Sequence, residues 1–454
     1  MRRMKQLLLI PLLLVSALPV TLAAGGAQND VRILDARARF ETLHLIRQDK
    51  FDLILPGAMR DNNVDMWIHV IRLGNPDPLE LDLGAEFGTF VFTDRGSDRI
   101  ERAVLGGFGR GPGMRETYDI FGSPSDLRRM VDEREPQRIA INMSSWLGVA
   151  DGLSHTDYER ITEELGPYAD RLVSSEQLIT DFRVRRVERE IAAFSTAGEI
   201  TRRLNERALS NEVIIPGVTT RDDVAWWVQD RLLEMGLRSS FGISAPGTLY
   251  SAAAENGGGR SDVIRRGDFL SYDMGVRYLN FGTDFKRHVY IMPEGETKVP
   301  DFIQHAWDRG YFARQVIKDN IKVGRTAGET LAHLAQVFEE LDYVYTPFTD
   351  VGREDRAIIA ALEDDPRSGI SIDCHTVGNT GNSEVAVGPS FAPFRPDRAH
   401  VVIQPNNIFS LEFVVHTAIP NGTRLAINFE DNAIVTENGV EWLYPPNPRI
   451  LIVR

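Results

Sequence analysis

Residues 271–287 read SYDMGVRYLNFGTDFKR, and this stretch predicts two strands joined by a glycine-containing bend. Apolar and polar side chains alternate on both flanks, as in strands that bury one face. Each predicted strand carries one aspartate, Asp273 and Asp284, where a carboxylate is costly to bury. Two such carboxylates repel each other unless a positive charge lies between them. Either a divalent metal ion or a basic side chain, Lys286 or Arg287, would supply that charge.

The composition is that of a globular protein with room for two domains. The chain has 454 residues, of which 43% are hydrophobic and 26% are charged. Its formal net charge of −14 argues against nucleic acid or an anionic membrane surface as a partner. Cys374 is the only cysteine in the sequence, so an intramolecular disulfide is excluded and stability has to come from a buried core.

Residues 1–23 have the pattern of a cleavable export signal. The basic residues Arg2, Arg3 and Lys5 precede an apolar run over 7–20, and small residues follow it. That run is too short for a comfortable membrane span, and no later stretch reaches the required length. We therefore expect a periplasmic or secreted protein that has no membrane span once the signal is removed.

Two regions of different character follow this signal. Residues 28–175 alternate helical and strand patterns, with a buried strand expected at 52–56, and predict a mixed α/β domain. A helical tract from about 175 to 210 leads into the second region, 180–454. There, helices precede strands that dominate after Val401, which predicts an α+β architecture.

Three helices are expected early in the second region. Thr220 can cap a helix that carries Val224 and Leu232 at helical spacing. Two further helices are expected over about 300–319 and 327–341. These helices would cover one side of the strand-rich part of the chain.

Three further residues of the second region are candidate metal ligands. His375 precedes a glycine, and Glu412 and Glu430 interrupt apolar runs in which a glutamate is out of place. Each of them alone has an ordinary explanation, since a charged residue in a strand often prevents edge pairing. Together with Asp273 and Asp284 they form a set of four carboxylates and one imidazole.

The order of these residues resembles that of the pita-bread metallopeptidases, which include methionine aminopeptidase, aminopeptidase P and prolidase. Residues 283–287 are similar to the family's Ser-Asp-x-x-Arg element, and residues 430–439 are similar to its terminal Glu-Asp-x-x-x-Val-Thr-x-x-Gly strand pair. The resemblance covers about residues 180–454. Residues 28–175 are similar in size and α/β character to the N-terminal domain of the creatinase, prolidase and aminopeptidase P branch.

The resemblance implies a catalytic centre with two divalent ions. Asp284 and Glu430 would bridge both ions, Asp273 would complete one, and His375 and Glu412 would complete the other. Glu412 would also be the general base beside a metal-bridging hydroxide. The oxygen-rich donor set favours manganese, with cobalt, zinc or iron as alternatives. The implied activity is removal of the N-terminal residue of short peptides, as in Xaa-Pro aminopeptidases, and dimers are common in the family.

The sequence departs from this family at positions that hold the substrate. Asn382 stands seven residues after His375, where the family has a histidine, and Ser371 stands four residues before it, where the prolidase branch has another. Asn382 can donate a hydrogen bond but cannot titrate near neutral pH. His416 is a candidate substitute, and Arg260 is a candidate for binding a substrate carboxylate.

These departures leave two other interpretations open. The chain would act on a small molecule if it resembles creatinase or dimethylsulfoniopropionate lyase, which have non-peptide chemistry on the same fold. Alternatively, the chain would be a binding protein without catalytic activity, in which the metal ion serves only to stabilise the fold.

Overall fold

The computed structural model describes residues 33–107, 113–242, 244–257, 259, 261–347, 362–363, 365–379 and 387–454. The predicted export signal, together with Arg260 and Asn382, lies outside these described residues. Residues Ile33–Arg454 belong to one compact unit, and the domain division expected between 175 and 180 stays a prediction. No helix in the described ranges is long and apolar enough to cross a membrane.

Helices occur in both parts of the chain, and two of them begin at a threonine cap. Thr220 and Thr326 each accept a hydrogen bond from the backbone N–H three residues further on, which satisfies a donor that the helix itself cannot. The three helices expected early in the second region are present. In the described residues the α-helices are α1 (Ala36–Asp49), α2 (Leu55–Asp61), α3 (Glu80–Leu83), α4 (Met114–Thr117), α5 (Asp126–Arg134), α6 (His155–Leu165), α7 (Glu176–Val184), α8 (Glu188–Ala208), α9 (Arg221–Glu234), α10 (Ala252–Glu255), α11 (Asp301–Asn320) and α12 (Ala327–Glu340).

The segment expected to form a buried strand at 52–56 is helical, so that prediction is wrong. α1 continues through a π-helical segment, Lys50–Ile54, directly into α2. A short apolar run does not distinguish a buried strand from a buried helix. Pro56 lies in the first turn of α2, directly after the π-helical segment. The helical tract expected from about 175 to 210 is divided into α7 and α8.

Strands form a separate sheet in the N-terminal part and several sheets in the rest of the described residues. The strands are β1 (Met66–Ile71), β2 (Gly88–Thr93), β3 (Glu101–Leu105), β4 (Ile120–Gly122), β5 (Ile139–Ile141), β6 (Leu172–Ser174), β7 (Arg238–Ser239), β8 (Gly247–Ser251), β9 (Asp268–Met274), β10 (Val276–Tyr278), β11 (Phe281–Gly282), β12 (Phe285–Ile291), β13 (Tyr343–Tyr345), β14 (Ser368–Ile372), β15 (His375–Thr376), β16 (Ile408–Ser410), β17 (Phe413–Ala418), β18 (Arg424–Phe429), β19 (Asn432–Thr436), β20 (Gly439–Trp442) and β21 (Leu451–Val453). The two strands predicted from the stretch 271–287 are β9 and β12, and they pair antiparallel.

The N-terminal sheet has the order β4-β3-β2-β1-β5-β6 and is covered by helices on both faces. Successive residues of a strand point to opposite faces. Trp67 and Phe92 therefore pack with side chains from α2 and α7. Their neighbours Ile68 and Val91 pack with side chains from α5 and α6 on the other face. This part has the mixed α/β character that the sequence predicted.

In the C-terminal part, α11 packs closely across β17 and β18. Gly310 permits this approach, because a Cβ atom at that position would lie 1.9 Å from Cε2 of Phe429. Trp307, one turn earlier in α11, packs on the same ring. The buried core of this part extends from α11 and α12 through the strands behind them. Helices on one side of antiparallel strands give the predicted α+β architecture.

Candidate ligands lie where the chain passes from one C-terminal sheet to another. β14, β17 and β18 belong to one sheet, whereas β15, β16 and β19 belong to the next. His375 opens β15 shortly after β14 ends, Glu412 lies between β16 and β17, and Glu430 lies between β18 and β19. Asp284 similarly lies between β11 and β12. These residues are outside the regular ladders or at their ends, and their side chains meet at the junction between the sheets.

Candidate metal centre

The structure brings the five expected ligands into one cluster at this junction. Asp284, His375 and Glu430 each offer one ligand atom, and these atoms all lie within 4.8 Å of one another. Glu412 lies beside them, with its Oε2 3.6 Å from Nε2 of His375. The side chain of Asp273 is 39% exposed, whereas that of Glu430 is 0% exposed. The cluster therefore has a closed interior and one side that opens to solvent.

A lysine lies at the centre of this cluster. The Nζ atom of Lys286 contacts three carboxylates: Asp273 Oδ2 at 3.0 Å, Glu412 Oε1 at 2.8 Å and Glu430 Oε2 at 2.5 Å. Lys286 is directly opposite Asp273 in the ladder of β9 and β12, which brings the two side chains together. Of the two basic residues that the sequence offered as counter-charges, Lys286 is in the cluster and Arg287 is not.

The ammonium group of Lys286 is charged and fully used. Burial alone would lower the pKa of Lys286, but the surrounding carboxylates outweigh burial and raise that pKa well above its ordinary value. A lysine ammonium has three N–H donors. The three carboxylate contacts therefore account for all of them.

Glu412 and His375 lie side by side in the centre. Burial raises the pKa of Glu412, but the Lys286 ammonium is the largest of the opposing causes that hold that pKa below its ordinary range. Asn428 donates to Oε1 of Glu412 through Nδ2 at 3.0 Å, which leaves Oε2 for the side of His375. Burial lowers the pKa of His375. Nδ1 of His375 donates to the Thr376 carbonyl at 3.1 Å, so the neutral ring presents Nε2 as an acceptor.

Asp284 and Glu430 are the most strongly buried carboxylates of the centre. Burial is the largest cause that raises their pKa values well above the ordinary range, and neighbouring carboxylates add to it. Ser410 donates to Oε1 of Glu430 at 2.5 Å. Asn432 fixes Asp284 through its backbone, with Nδ2 donating to the Asp284 carbonyl at 2.6 Å. The direction of the shifts shows that Lys286 compensates only part of the negative charge.

The donor set fits one divalent ion. Nε2 of His375 is buried and finds no hydrogen-bond partner among the residues that the structure describes. Carboxylates together with a neutral imidazole suit manganese, iron, cobalt or zinc. Asp284, His375 and Glu430 are close enough to share such an ion. The second ion of the expected pair would require Asp273, and Asp273 and Glu430 already contact Lys286. The described geometry therefore does not fit that second ion.

An ion pair beside the cluster was not identified from the sequence. Asp373 and Arg395 are joined by a 2.5 Å contact between Oδ1 and Nη1. Burial and the neighbouring Glu412 raise the pKa of Asp373 to about 8. The backbone N–H of Asp373 donates to the Glu412 carbonyl at 2.9 Å, which links the start of the His375 segment to Glu412. The one signal for Asp373 in the sequence was its position two residues before the candidate ligand His375.

Ser371, at a position where the prolidase branch has a histidine, and His288 of β12 are both engaged in the scaffold. Ser371 is buried in β14, and its Oγ donates to the Thr346 carbonyl at 2.7 Å. His288 is buried in β12, and its Nε2 donates to the Asn428 carbonyl at 2.9 Å. Burial lowers the pKa of His288 to about 3. Neither side chain is therefore directed at a substrate.

His416 lies on the face of β17 that Asn428 shares from the neighbouring strand. It is four residues after Glu412, and alternate residues of a regular strand point to the same side. Its side chain is buried. Substrate contacts of His416, together with the roles of Asn382 and Arg260 outside the described residues, stay predictions.

Comparisons with known proteins agree with this fold. A family model for metallopeptidase family M24 matches residues 192–437, more than half of the chain. No curated protein matches the chain. The chain is similar in structure to the X-Pro aminopeptidase from Thermotoga maritima, with a TM-score of 0.60 and 17% identity over 87% of this chain and 100% of that one. It is also similar to an Xaa-Pro dipeptidase from Bacillus anthracis, with a TM-score of 0.58 and 19% identity over 92% of this chain and 100% of that one.

A third solved structure extends this likeness. The prolidase from Pyrococcus horikoshii gives a TM-score of 0.55 with 17% identity, over 91% of this chain and 100% of that one. At such identities the likeness concerns the fold, and the fold predicted from the ligand order is confirmed. The family match covers the segments that carry all five expected ligands. The chain therefore belongs to metallopeptidase family M24, and it is a hydrolase of the metallopeptidase type with the pita-bread fold of that family.

Proposed function

We propose that this chain is an exported, metal-dependent aminopeptidase that removes the N-terminal residue of short peptides. The observation that carries the proposal is the convergence of Asp284, His375 and Glu430 beside the ionised Glu412. Solved structures of similar fold include an X-Pro aminopeptidase and an Xaa-Pro dipeptidase, which makes proline-containing peptides the first substrates to test. Export is supported by the basic and apolar pattern of residues 1–23.

Asp284, His375 and Glu430 would hold the divalent ion, and manganese is proposed because oxygen donors dominate. A bound ion of this kind polarises a peptide carbonyl and lowers the pKa of a water molecule. The chain's own part is to place the donors before the substrate arrives. His375 does so through its Nδ1 hydrogen bond to the Thr376 carbonyl, which leaves Nε2 available.

Glu412 is placed to accept a proton during hydrolysis. Lys286 and Asn428 both contact Oε1, so the carboxylate is ionised and its orientation is fixed. Its Oε2 lies on the side of His375, next to the proposed ion. A general base has to be within hydrogen-bond reach of the proton that it accepts, and Glu412, beside the proposed ion and with its side chain 15% exposed, would take this role.

The test uses the purified mature protein with Mn²⁺ and a panel of Xaa-Pro and non-proline peptides, with release of the first residue followed by mass spectrometry. Wild-type protein is expected to release it only when the metal is present. Asp284→Asn is expected to lose both the ion and the activity. Asp301→Asn is the matched control, because the Asp301 side chain is 86% exposed and far from the cluster in sequence. Full activity of Asp284→Asn without bound metal would refute the proposal.

A second candidate function is the hydrolysis, or the cleavage by a lyase reaction, of a small non-peptide molecule at the same site. Ser371 favours it, because the prolidase branch has a histidine at this position and the Ser371 hydroxyl is bound within the scaffold. The same metal-loaded protein would then leave every peptide intact and turn over a small amide or sulfonium compound. A homodimer, which the family resemblance suggests, is checked separately by analytical ultracentrifugation.

A further inference from the structure

We infer that the Lys286 ammonium takes one of the two cation positions of this metal centre, so that the protein binds one divalent ion and not two. The inference deepens the proposed function and rests on it in one respect. Both take Asp284, His375 and Glu430 to be the residues that hold a divalent ion.

The contacts of Lys286 are those that a bound cation would make. Its Nζ is 2.5–3.0 Å from one oxygen each of Asp273, Glu412 and Glu430. In two-metal sites the ions lie about 3.5–4 Å apart and share carboxylates. Lys286 shares Glu430 with the proposed ion and holds Asp273, which is the residue that the two-ion arrangement requires. The lysine and a second ion therefore compete for the same oxygens.

The position of Lys286 is fixed by the strand that carries it. Its backbone N–H donates to the Glu430 carbonyl at 3.1 Å, and its register partner in β9 is Asp273. The next residue, Arg287, is anchored on the opposite side by Asp431 at 2.8 Å. The Lys286 side chain is only 9% exposed. The ammonium is thus built into the centre and does not reach it from the surface.

The charge balance also favours one ion. Once the proposed ion has displaced their protons, the four carboxylates carry four negative charges, and Lys286 compensates one of them. One divalent ion then compensates two more, and the open side of the cluster at Asp273 is where the remaining charge meets water. A second divalent ion would lie next to the positively charged Lys286 ammonium in a buried site. Repulsion between two cations at such a distance is strongly unfavourable.

The role that follows for Lys286 is to hold the carboxylates rather than the substrate. All three of its N–H groups are used by carboxylates, so no donor is left for a substrate carbonyl. In this arrangement the lysine orients Glu412, a task that an ion would perform in a two-metal centre. The single ion would then carry out the Lewis-acid chemistry without a second ion.

The experiment counts bound metal in the absence of substrate. Wild-type protein is stripped with a chelator, dialysed against Mn²⁺ and analysed by mass spectrometry of the metal and by isothermal titration calorimetry. One equivalent is expected for the wild type. Lys286→Met keeps the apolar stem and removes the charge, and two equivalents are expected. Lys298→Met is the matched control at an exposed lysine and is expected to bind one.

Two equivalents in the wild type, or one equivalent in folded Lys286→Met, would overturn the inference. If Lys286→Met does not fold by circular dichroism, the wild-type count and the Asp273→Asn variant still decide. Asp273→Asn alters a contact of Lys286 but no donor of the proposed ion, so it is expected to keep one equivalent. Loss of that equivalent would place Asp273 among the ligands and overturn the inference.

These outcomes are separate from those of the proposed function. A protein that binds one ion but releases no residue from any peptide would refute the aminopeptidase proposal and leave the one-ion inference standing. A wild-type protein that binds two ions and hydrolyses peptides would overturn the one-ion inference and leave the aminopeptidase proposal standing.

Discussion

Lys286-Arg287 and Glu430-Asp431 are two pairs of consecutive residues at the same strand junction. One residue of each pair belongs to an ion cluster on one side of the junction, and the other residue of each pair belongs to a different cluster on the other side. Lys286 and Glu430 contact each other in the metal centre. Arg287 and Asp431 contact each other behind it at 2.8 Å, where Arg314 of α11 adds a second contact of 2.5 Å to the same carboxylate. Successive residues of a strand point to opposite faces, so one short stretch supplies both clusters.

The two clusters differ in their balance of charge. In the metal centre one lysine contacts three of the four carboxylates, and a buried ring nitrogen of His375 finds no hydrogen-bond partner in the described part of the chain. Behind it, Asp431 lies between two arginines, and its Oδ2 also accepts the backbone N–H of Asn447 at 3.3 Å. An excess of carboxylates with unused ligand atoms marks a binding site, whereas a carboxylate saturated by two cations marks the scaffold.

The largest effect on activity is expected from a substitution in the metal centre. Glu430→Gln removes a donor that Lys286 and the proposed ion share, while it keeps the shape of the side chain. We expect loss of the bound ion and a fall in kcat/KM of at least about 10²–10³-fold, the size of losing one preorganised electrostatic contact. The free energy of unfolding of the metal-free protein should change little, because the variant relieves repulsion among carboxylates. Metal titration and peptide kinetics check both parts, and an active variant with bound metal would contradict them.

The neighbouring change, Asp431→Asn, should affect stability instead. It leaves Arg287 and Arg314 as buried guanidinium groups without their carboxylate, and breaking a buried ion pair in this way costs about 3–5 kcal/mol. We expect a lower midpoint of urea unfolding, with metal stoichiometry retained at low temperature in whatever fraction is folded. The exposed Asp301→Asn serves as the control and should leave the midpoint unchanged. Equal stability of Asp431→Asn and wild type would remove the distinction between the two clusters.

A smaller effect is expected at the packing contact that supports both clusters. Gly310→Ala would place a Cβ atom 1.9 Å from the ring of Phe429, the residue immediately before Glu430. Overpacking of this kind costs about 1–3 kcal/mol, and the displaced ring should also weaken metal binding. Gly57→Ala in α2 is the matched control, because its Cβ would be 3.5 Å from the nearest atom, Nη1 of Arg185. Urea unfolding should show a loss for the first variant and none for the second.

The parts of the fold that were predictable from sequence are those with local signals. Thr220 marks the start of α9 through its own hydrogen bond to the helix. Alternation of side chains marks β9 and β12 without knowledge of their partners. Acidic residues in apolar runs are rare unless a charge compensates them, which identified the candidate ligands. Their order resembles that of the pita-bread metallopeptidases, and this resemblance predicted the fold.

What the sequence did not show depends on register and on long-range contacts. Lys286 was visible as a counter-charge, but its place between three carboxylates depends on the pairing of β9 with β12 and on the return of the chain at Glu412 and Glu430. Asp373 meets Arg395 in a contact between positions 22 residues apart. The apolar run at 52–56 was misread since its length does not separate strand from helix.

His288 provides the smallest and most selective test of the comparison, because it follows Lys286 and Arg287 on the same strand and belongs to neither cluster. Burial lowers its pKa to about 3, and its Nε2 donates to the Asn428 carbonyl. In an unfolded chain a histidine titrates near pH ~6.5. The unfolded state therefore binds a proton that the folded state excludes between these values. The stability supplied by neutral His288 is complete above about pH 6.5 and is lost as the pH falls toward about 3.

Urea unfolding of the metal-free protein between pH 6.5 and 4 measures this effect. One proton bound only by the unfolded state corresponds to a slope of about 1.4 kcal/mol per pH unit. His288→Gln keeps a donor for the Asn428 carbonyl but does not titrate, so its stability should fall less steeply with decreasing pH than that of the wild type. His155→Gln, at a side chain that is 84% exposed, should keep the wild-type slope. If His288→Gln also kept it, the folded protein would bind the proton, and the buried histidine would be an ionised part of the metal centre's charge balance instead of neutral scaffold.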